Sequence, residues 1–410
     1  MRLYIINATE LIPLAQKHYR ILDFAPVEAK VAINVMGASP AGKKILVKNV
    51  NGIEDFSYAI LFDKAIHPAV SPGPGLHDMN RKSVENVLRL VDILAQQAPR
   101  KLKLFQTFES EIITFLLNLW PNILAREAVQ ARKDLVEAFH EYFVTDSHKQ
   151  GSAFVQAHYQ HKVGQGIAGR DIARFEIGGV NAVLGNTIPT AFWVLYHTIT
   201  DEDVLRECRR EVLACCNTNG DTFTLDVSQL KDSCALLISV LKETLRFHGI
   251  GTSVRLVTQD HMLDGKYLLK KGGIVMIPGA VQHTSVPAFG DDVNEFRHNR
   301  FMRSPGIKKP SPVAFRGFGT GTTLCPGRHF ASTELLTFVA LMIVRFDFEP
   351  TQGSWICPTT ANARAHSTVA PPDNDIEVYI APPANDLSDK KWVAVVPAAN
   401  EGVKLAVEDS

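Results

Sequence analysis

The sequence predicts a mainly α-helical fold with a few short strands. Apolar residues recur at helical spacing from Leu76 to about Tyr142 and again from Val227 to His248. Between them, the nearly all-apolar segment Gly178–Thr198 predicts a central buried helix. Near the N-terminus, Leu3–Ile6 predicts a short strand that precedes a helix from about Ala8 to Ile21. Helices therefore dominate the prediction.

Charge and cysteine content exclude several function classes. The 410 residues carry 43 basic and 43 acidic side chains, so no net field attracts nucleic acid or an anionic membrane. The opening run, Met1–Asn7, is too short for a signal peptide or a spanning helix. The cysteines show no disulfide framework and no C-x-x-C pair, which indicates a reducing compartment. They are Cys208, Cys215, Cys216, Cys234, Cys325 and Cys357.

A near match to a phosphate-binding loop lies between two β-rich runs, Val31–Met36 and Ile45–Val50. Segment Gly37–Lys44 resembles a P-loop, which also needs Ser or Thr after its lysine and a helix that begins at the loop. Lys44 occupies the Ser/Thr position, and the following run predicts a strand. A P-loop nucleotide-binding protein is therefore a distant alternative to an ordinary hairpin or loop.

The segment Gly178–Thr198 contains polar and helix-breaking residues in its middle. Pro189 lacks an N–H, so the carbonyl four residues upstream, near Gly185, loses its hydrogen bond. An opened helical turn makes room for dioxygen, water or substrate. A kinked core helix is the alternative interpretation.

Glu243 and Arg246 lie three residues apart in the predicted helix Val227–His248, so they share one face and can pair. Their apolar neighbours predict burial, where such a pair needs further partners. Arg300 is the candidate third member. We expect these three residues to form a structural triad.

One cysteine is the best candidate for chemistry. Cys325 lies in a glycine-rich loop, and the apolar pattern of a helix follows it. Gly319 and Gly321 remove side chains, which lets the backbone lie flat against a planar ligand. The N–H groups at the start of the helix stabilise a thiolate, and a thiolate can be the fifth ligand of a haem iron. A buried cysteine in an ordinary turn is the alternative.

Three motifs together resemble the cytochrome P450 haem-thiolate family. Phe318-x-x-Gly321-x-x-x-Cys325-x-Gly327 fits the cysteine-loop signature of that family. Glu243-x-x-Arg246 matches its E-x-x-R motif, and the segment from Phe296 to Phe301 resembles its aromatic-x-P-x-R-F meander, in which Arg300 completes the triad. His298 stands where proline is usual. The motifs occur in the expected order.

The resemblance implies the cytochrome P450 fold, a single, mainly α domain over residues 1–410 with a small β-rich lobe. It implies haem b (iron protoporphyrin IX), bound between the Gly178–Thr198 helix and the helix after Cys325. Compared with the family, the chain lacks the usual N-terminal anchor region and reads as a compact member or an incomplete product. Residues from about 385 to 410 read as a C-terminal tail. The β lobe would contain Ile250–Val257, Met262–Leu269 and Ile274–Ile277.

Several residues are assigned to the cofactor by the resemblance. Arg255 looks like the residue that binds a haem propionate, and a guanidinium suits a carboxylate. Thr323 stands where many members have Arg or His, which resembles the branch of sterol and bile-acid hydroxylases and prostacyclin synthase. Arg328 is a candidate for the missing charge. The cofactor-binding residues predicted in this way are Arg255, Phe318, Gly321, Gly327 and Arg328, with Cys325 as the metal ligand.

The predicted catalytic residues are Asn186 and Thr187. Most family members carry an acid followed by threonine at the positions that align with Gly185 and Asn186, whereas this chain resembles the sterol-hydroxylase branch. Asparagine orients a water but cannot deliver a proton as an acid does. Oxygen insertion into a lipophilic substrate, such as a sterol, terpenoid or other secondary metabolite, is the first mechanism expected. Rearrangement of a peroxide substrate without a reductase, and a non-catalytic haem-binding remnant, are the alternatives.

The implied partners are NADPH–cytochrome P450 reductase and a lipophilic small molecule, without nucleic acid. A form that carries the family's anchor would lie on the cytoplasmic side of the endoplasmic reticulum, whereas this chain alone reads as soluble with a possible membrane-surface contact. Zinc is a weak alternative. His158 and His161 share a helical face but lack nearby ligands in the sequence, so they are expected at the surface.

Overall fold

Helices make up most of the chain, as the apolar periodicity predicts. A computed structural model describes residues 2–50, 53–55, 74–93, 101–167, 169–302, 310–364, 366–383 and 391–396. The helices are α1 (Leu11–Lys17), α2 (Ala25–Lys30), α3 (Pro40–Leu46), α4 (Pro74–Ile93), α5 (Lys101–Glu109), α6 (Ile112–Leu116), α7 (Pro121–Leu124), α8 (Arg126–Val144), α9 (Ala153–Gly164), α10 (Arg170–Ile199), α11 (Glu202–Ala214), α12 (Leu230–Ser233), α13 (Ala235–Phe247), α14 (Gly279–His283), α15 (Val286–Phe289) and α16 (Arg328–Arg345).

The strands form small separate sheets at the edge of the helical body. They are β1 (Leu3–Ile5), β2 (Leu22–Asp23), β3 (Lys48–Val50), β4 (Ile53–Asp55), β5 (Cys216–Asn219), β6 (Thr222–Asp226), β7 (Thr252–Val257), β8 (His261–Leu263), β9 (Tyr267–Leu269), β10 (Ile274–Pro278), β11 (Asp347–Pro350), β12 (Val378–Ala381) and β13 (Lys391–Val395). The largest sheet has the order β1-β10-β7-β2. β1 pairs with β10 in parallel, and β7 pairs antiparallel with both β10 and β2.

The β lobe confirms the strands predicted for residues 250–277. In the sheet register Arg255 of β7 lies opposite Val275 of β10, which places this cation within the largest sheet of the β lobe. Within the predicted C-terminal tail, β13 pairs in parallel with β6. Residues 384–390 and 397–410 of that tail lie outside the described residues.

The predicted β-rich runs Val31–Met36 and Ile45–Val50 are largely helical. Val31–Val35 continues α2 as a π-helical turn, and Pro40–Leu46 forms α3. Proline favours the first turn of a helix, and the Ser39 side chain accepts a hydrogen bond from the Gly42 N–H, so local capping overrides β propensity here. Only Lys48–Val50 forms the expected strand.

The same segment has no room for a phosphate. The Ser39 N–H and hydroxyl both donate to the carboxylate of Asp171, which lies at the N-terminus of α3. A Cβ on Gly42 would lie 2.8 Å from an Asp171 oxygen. Lys43 and Lys44 are exposed. An acidic group therefore occupies the position that a P-loop offers to an anion, and the helix α3 forms where an ordinary hairpin or loop was predicted.

The central helix α10 runs unbroken through Pro189. It packs against α8, α13 and α16. Its C-terminal half lies in the largest apolar cluster, where Trp193 is fully buried and donates from Nε1 to the Ala370 carbonyl at 2.8 Å. The prediction of burial fails for residues 178–189, because Ile188 is 48% exposed and the residues around it are half-buried. No helix in the described ranges has the length and apolarity needed to cross a bilayer.

Candidate functional site

The cysteine loop is a tight turn that requires glycine. Gly319 has φ +78°, and a Cβ there would lie 2.7 Å from the Thr323 carbonyl oxygen. Gly321 also has positive φ, +62°. The Cys325 N–H donates to the Phe318 carbonyl at 2.8 Å, which closes the turn, while the Phe318 ring packs against the largest apolar cluster. The loop is therefore held on the core by Phe318, and the Gln16 side chain lies against Gly321, where it donates to the Thr320 hydroxyl.

Cys325 is half-buried and precedes the N-terminus of α16. Gly327 is the N-cap residue, and a Cβ there would be in ordinary contact with Cys325 Sγ at 3.9 Å. The Arg328 side chain turns back and donates to the Cys325 carbonyl at 3.2 Å. This arrangement places Cys325 at the N-terminus of a long helix, whose positive dipole stabilises a thiolate.

The second feature is a network that we call the Glu243 cluster, formed by Glu243, Arg246, Asp292 and Arg300. Arg246 donates to both oxygens of Glu243, with each contact at 2.7 Å. Arg300 Nε donates to Glu243 Oε1 at 3.0 Å, and Arg300 Nη1 donates to Asp292 Oδ1 at 2.7 Å. The side chains of Glu243, Arg246 and Arg300 are 0%, 1% and 6% exposed.

The remaining guanidinium N–H groups of the Glu243 cluster reach backbone carbonyls. Arg246 Nη1 donates to the carbonyls of His283 and Val293, and Arg300 Nη1 donates to that of Phe289. The structure thus brings the three predicted residues together. Asp292 was missed by the sequence argument, although it lies eight residues before Arg300 in the same meander. The hydrogen bonds from Arg300 keep the pKa of Asp292 below its usual value.

A second pair of buried guanidinium groups lies near the cysteine loop, and we call it the Arg255–Arg316 pair. Arg255 is 9% exposed and Arg316 is 7% exposed. Burial, together with the charge of Arg316, lowers the pKa of Arg255 to about 10. Burial also lowers the pKa of Arg316. A lowered pKa means that the surrounding protein does not fully compensate the cost of burying the positive charge.

Protein partners of the Arg255–Arg316 pair are few. Arg255 donates to the Thr323 hydroxyl and to the Val254 carbonyl. Arg316 Nη1 is buried without a hydrogen-bond partner in the described residues. Neither guanidinium forms an ion pair with a described carboxylate. An anion such as a haem propionate fits this position, because it would supply the missing charge and acceptors. The sequence argument missed Arg316. The feature that could have indicated it is a single charged residue within the apolar run before the cysteine loop.

The third feature is the turn Gly185–Pro189 of α10, which we call the open turn because Pro189 cannot donate a hydrogen bond to the Gly185 carbonyl. Asn186 Nδ2 donates to the Ala182 carbonyl at 2.8 Å, and the Thr190 hydroxyl donates to the Asn186 carbonyl at 2.7 Å. Thr187 is half-buried, and its hydroxyl has no hydrogen-bond partner within the described ranges. Asn186 is therefore turned along its own helix, whereas the Thr187 hydroxyl is available.

A cavity of about 360 Å³ borders the open turn. The end of α5, the open turn and the segment from Asn362 to Pro371 line it. Apolar side chains such as Phe105 and Leu184 contribute to the walls together with polar ones. The cavity combines apolar surface with a few polar groups, as small-molecule sites do.

The surface position predicted for His158 is wrong. His158 is 1% exposed, and its Nδ1 lies 2.9 Å from Glu176 Oε1. Lys162, also buried, contacts the same carboxylate. His158 and Lys162 lie four residues apart and point inward because α9 packs against α10, which contributes Glu176. Three-residue clusters of His, Cys, Asp or Glu with metal-binding geometry do not occur in the part of the chain that the structure describes.

Comparison with known proteins adds independent findings. The family model described as Cytochrome P450 matches residues 75–377. The cytochrome P450 monooxygenase nodJ of Hypoxylon pulicicidum is 28% identical over 95% of this chain and 83% of its own length. Cholesterol 7-alpha-monooxygenase of Cricetulus griseus is 31% identical over 47% of this chain. The 5-beta-cholestane-3-alpha,7-alpha-diol 12-alpha-hydroxylase of Sus scrofa is 29% identical over 45% of this chain. The matches cover 41% and 40% of these two mammalian relatives.

Proposed function

The chain belongs to the cytochrome P450 family, and from this premise we propose that it is a monooxygenase that hydroxylates a lipophilic substrate. The proposed substrate class is a sterol, a terpenoid or another secondary metabolite. The observation that carries the proposal is the half-buried Cys325, held in a glycine turn directly before α16. NADPH–cytochrome P450 reductase is the proposed electron donor.

Proteins of this family bind haem, and the residues present fit that cofactor. Cys325 would ligate the iron as a thiolate, and the Arg255–Arg316 pair would bind the propionates. Gly321 and Gly327 would keep side chains of their own off the macrocycle, with Phe318 supporting the loop from the core side and Gln16 lying against Gly321. Arg328 holds the loop carbonyl. When bound, the haem supplies the activation of dioxygen that side chains cannot provide.

The roles proposed for the side chains of the chain follow from their positions. The N-terminus of α16 keeps Cys325 deprotonated, and the apolar core beneath Phe318 excludes water from that side. At the open turn, the Thr187 hydroxyl orients a water or the reacting oxygen by hydrogen bonding. Asn186 fixes the shape of the turn through its bond to the Ala182 carbonyl. Apolar walls of the cavity would bind the substrate body.

A second candidate activity is rearrangement of a substrate that already contains an O–O bond. Its support is the composition of α10, which presents Gly185 and Asn186 rather than an acid at the open turn. Such a reaction needs no net supply of protons or electrons. Dependence on a reductase separates the two activities.

An exposed apolar patch supports a contact with a membrane surface. Trp120, Ile123 and Leu124 are 73%, 65% and 63% exposed, and Leu117 and Leu119 adjoin them. Indole and aliphatic side chains in one patch suit the interface of a bilayer. The proposed location is the cytoplasmic face of the endoplasmic reticulum. Flotation with neutral phosphatidylcholine vesicles should detect binding, which Trp120→Ser with Ile123→Ser should abolish, while haem loading stays unchanged.

The experiment that tests the main proposal is reconstitution with purified reductase, NADPH and isotopically heavy dioxygen, followed by mass spectrometry over a panel of sterols and terpenoids. One heavy oxygen atom in a product, dependent on reductase and lost in Cys325→Ala, is the expected result. Turnover of an endoperoxide without reductase would favour the second activity. Haem binding with neither activity would leave the non-catalytic remnant as the better account.

A further inference from the structure

The carboxyl group of Glu109 lies against the open turn of α10. An ideal Cβ built on Gly185 would lie 2.9 Å from Glu109 Oε1. The acid from the end of α5 therefore fills the space that a side chain at position 185 would occupy. Glycine at this position is what permits the approach, since any Cβ would displace the carboxylate.

Glu109 and the open turn share the cavity described above. Glu109, Gly185 and Pro189 all line it. Pro189 has no N–H for the Gly185 carbonyl, so this carbonyl lacks its intrahelical hydrogen bond where the acid approaches. The cavity thus contains a carboxyl group at the point where the helix leaves room for a ligand.

The proposed hydroxylation requires a source of protons in the cavity where the Glu109 carboxyl group lies. Insertion of one oxygen atom into a C–H bond consumes dioxygen, two electrons and two protons, and it yields one hydroxyl group and one water. The electrons come from the reductase, but the protons must reach the cavity through the protein. A group that repeatedly gives up and regains a proton is therefore required near the reacting oxygen.

Three titratable side chains line the cavity in the described residues, namely Glu109, Arg364 and His366. An arginine guanidinium does not serve as a proton donor in proteins. Burial and the charge of Arg364 lower the pKa of His366, which favours its neutral form. Burial raises the pKa of Glu109, and Arg364 opposes that shift without cancelling it. Only the Glu109 carboxyl combines position, a raised pKa and an exchangeable proton.

We propose that Glu109 is the proton donor of this cavity and supplies from α5 the acid that α10 lacks. Its carboxyl group passes a proton toward the oxygen that is being reduced, and the resulting carboxylate takes a proton back from solvent. The net consumption of protons stays that of the overall reaction. This inference rests on the proposed monooxygenase function, because a rearrangement has no such demand.

The first variant is Glu109→Gln, which keeps the shape of the side chain but removes its acidic proton. Electrons should still be drawn from NADPH, but the yield of hydroxylated product per NADPH should fall by roughly 100-fold, with peroxide released instead. The spectrum of the carbon monoxide complex should stay that of the parent protein. The solvent deuterium isotope effect on product formation should also change. A residue with only a structural role would alter haem loading rather than coupling.

Relocation of the acid gives a sharper test. Glu109→Ala vacates the space beside Gly185, and Gly185→Asp in that background returns a carboxyl group from α10. Coupling is the yield of hydroxylated product per NADPH consumed. The double variant should recover a large part of the coupling that Glu109→Ala loses. Gly185→Asp alone should couple poorly, because its Cβ meets the Glu109 carboxylate.

Glu111→Gln is the matched control. Glu111 is half-buried two residues along the chain, and its Oε2 accepts a hydrogen bond from the Thr114 hydroxyl at 2.7 Å, which a glutamine oxygen can also accept. This variant should couple like the parent protein.

The outcomes separate the two proposals. If the parent protein hydroxylates a substrate and Glu109→Gln couples as well as Glu111→Gln, the inference about Glu109 is overturned while the monooxygenase function stands. If the parent protein forms no hydroxylated product, the proposed function fails. The protonation of Glu109 is measured separately from activity, by the difference between the infrared pH titrations of the parent protein and Glu109→Gln. A proton donor at neutral pH requires a carboxyl band that persists well above the ordinary glutamate pKa of about 4.3, and a band that titrates at that value overturns the inference.

Discussion

Two pairs of buried arginines lie within the C-terminal half of the chain, and they are satisfied in opposite ways. In the Glu243 cluster, Arg246 and Arg300 donate to two carboxylates and to several backbone carbonyls. In the Arg255–Arg316 pair, Arg255 donates to a hydroxyl and a carbonyl and lies over the Phe24 ring without a carboxylate at ion-pair distance, and a buried nitrogen of Arg316 has no partner in the described residues.

The difference separates a structural network from a binding site. A buried charge that is paired within the chain needs nothing further, and removal of its partner destabilises the fold. A buried charge without an anion costs free energy that only a ligand can recover. The Glu243 cluster is therefore expected to control stability, and the Arg255–Arg316 pair is expected to control retention of the cofactor.

The largest effect is expected from Glu243→Ala. It leaves Arg246 and Arg300 buried without their shared carboxylate, so the free energy of unfolding should fall by about 3–5 kcal/mol. Urea unfolding followed by circular dichroism measures the change. Glu243→Gln, which keeps two hydrogen-bonding groups, provides a milder variant if the alanine protein does not accumulate.

The control for this prediction is Glu207→Ala. Glu207 and Arg210 on α11 have the same spacing as Glu243 and Arg246, but both side chains are exposed. The midpoint of unfolding should stay close to that of the parent protein, because exposed pairs contribute little. Equal losses in the two variants would contradict the view that burial makes the Glu243 cluster structural.

Acid should have an intermediate effect on stability through His283, which contacts Arg246 of the Glu243 cluster and Arg316 of the Arg255–Arg316 pair. Its Nδ1 donates to the Gly249 carbonyl at 3.0 Å, and its Nε2 accepts from the Arg316 N–H at 3.0 Å. Burial, with the nearby charges of Arg246 and Arg316, lowers its pKa from 6.5 to about 4. The neutral ring is therefore required in the folded state.

The sign follows from which state binds the proton. Between pH 6.5 and about 4 the unfolded chain protonates this histidine and the folded chain does not, so stability is lost as the pH falls through that window. The contribution is about 1.4 kcal/mol per pH unit. His283→Asn should lower the slope of unfolding free energy against pH by one proton, as measured by urea titrations from pH 7 to 4.5. His197 and His248, also buried with lowered pKa values, contribute equally to both proteins. An unchanged slope would contradict the neutral, bridging role of His283.

The smallest effect on stability is expected from Arg316→Leu. The substitution should stabilise the haem-free protein but weaken its hold on haem. Without haem the variant should be more stable than the parent by about 1–3 kcal/mol, because an uncompensated buried charge is removed. With haem it should release the cofactor about 10- to 100-fold faster, because a charge-assisted hydrogen bond is lost. Thermal unfolding of the haem-free protein and haem transfer to apomyoglobin measure the two quantities.

Arg206→Leu on the exposed face of α11 is the control, and neither quantity should change. If Arg316→Leu destabilised the haem-free protein and left haem release unchanged, the Arg255–Arg316 pair would belong with the Glu243 cluster as a structural element.

The sequence predicted features that are set by neighbouring residues and missed features that depend on elements distant in the chain. The glycine loop and the Glu243–Arg246 spacing are set by neighbouring residues, so the sequence located both correctly. Arg316, Asp292 and Glu109 gain their surroundings from elements distant in the chain, and a lone charge in a sequence does not indicate which elements surround it. These three were missed.

The same reasoning explains the wrong predictions. The β-branched runs near Val31 and Ile45 predict strands by propensity, but Ser39 and Pro40 begin a helix whose apolar side is buried against other helices. His158 looks like a surface residue until α10 supplies Glu176 as its partner. Propensity and spacing describe the chain alone, whereas these positions are decided by packing.

The most direct test of the central claim, that Cys325 ligates haem as a thiolate, is the absorbance spectrum of the dithionite-reduced protein with carbon monoxide. The parent protein should give the long-wavelength Soret band that is specific to thiolate ligation, and Cys325→Ala should lose it. Arg316→Leu should keep the position of the band with less haem bound. A parent protein whose band lies at the position typical of histidine-ligated or denatured haem would contradict the account.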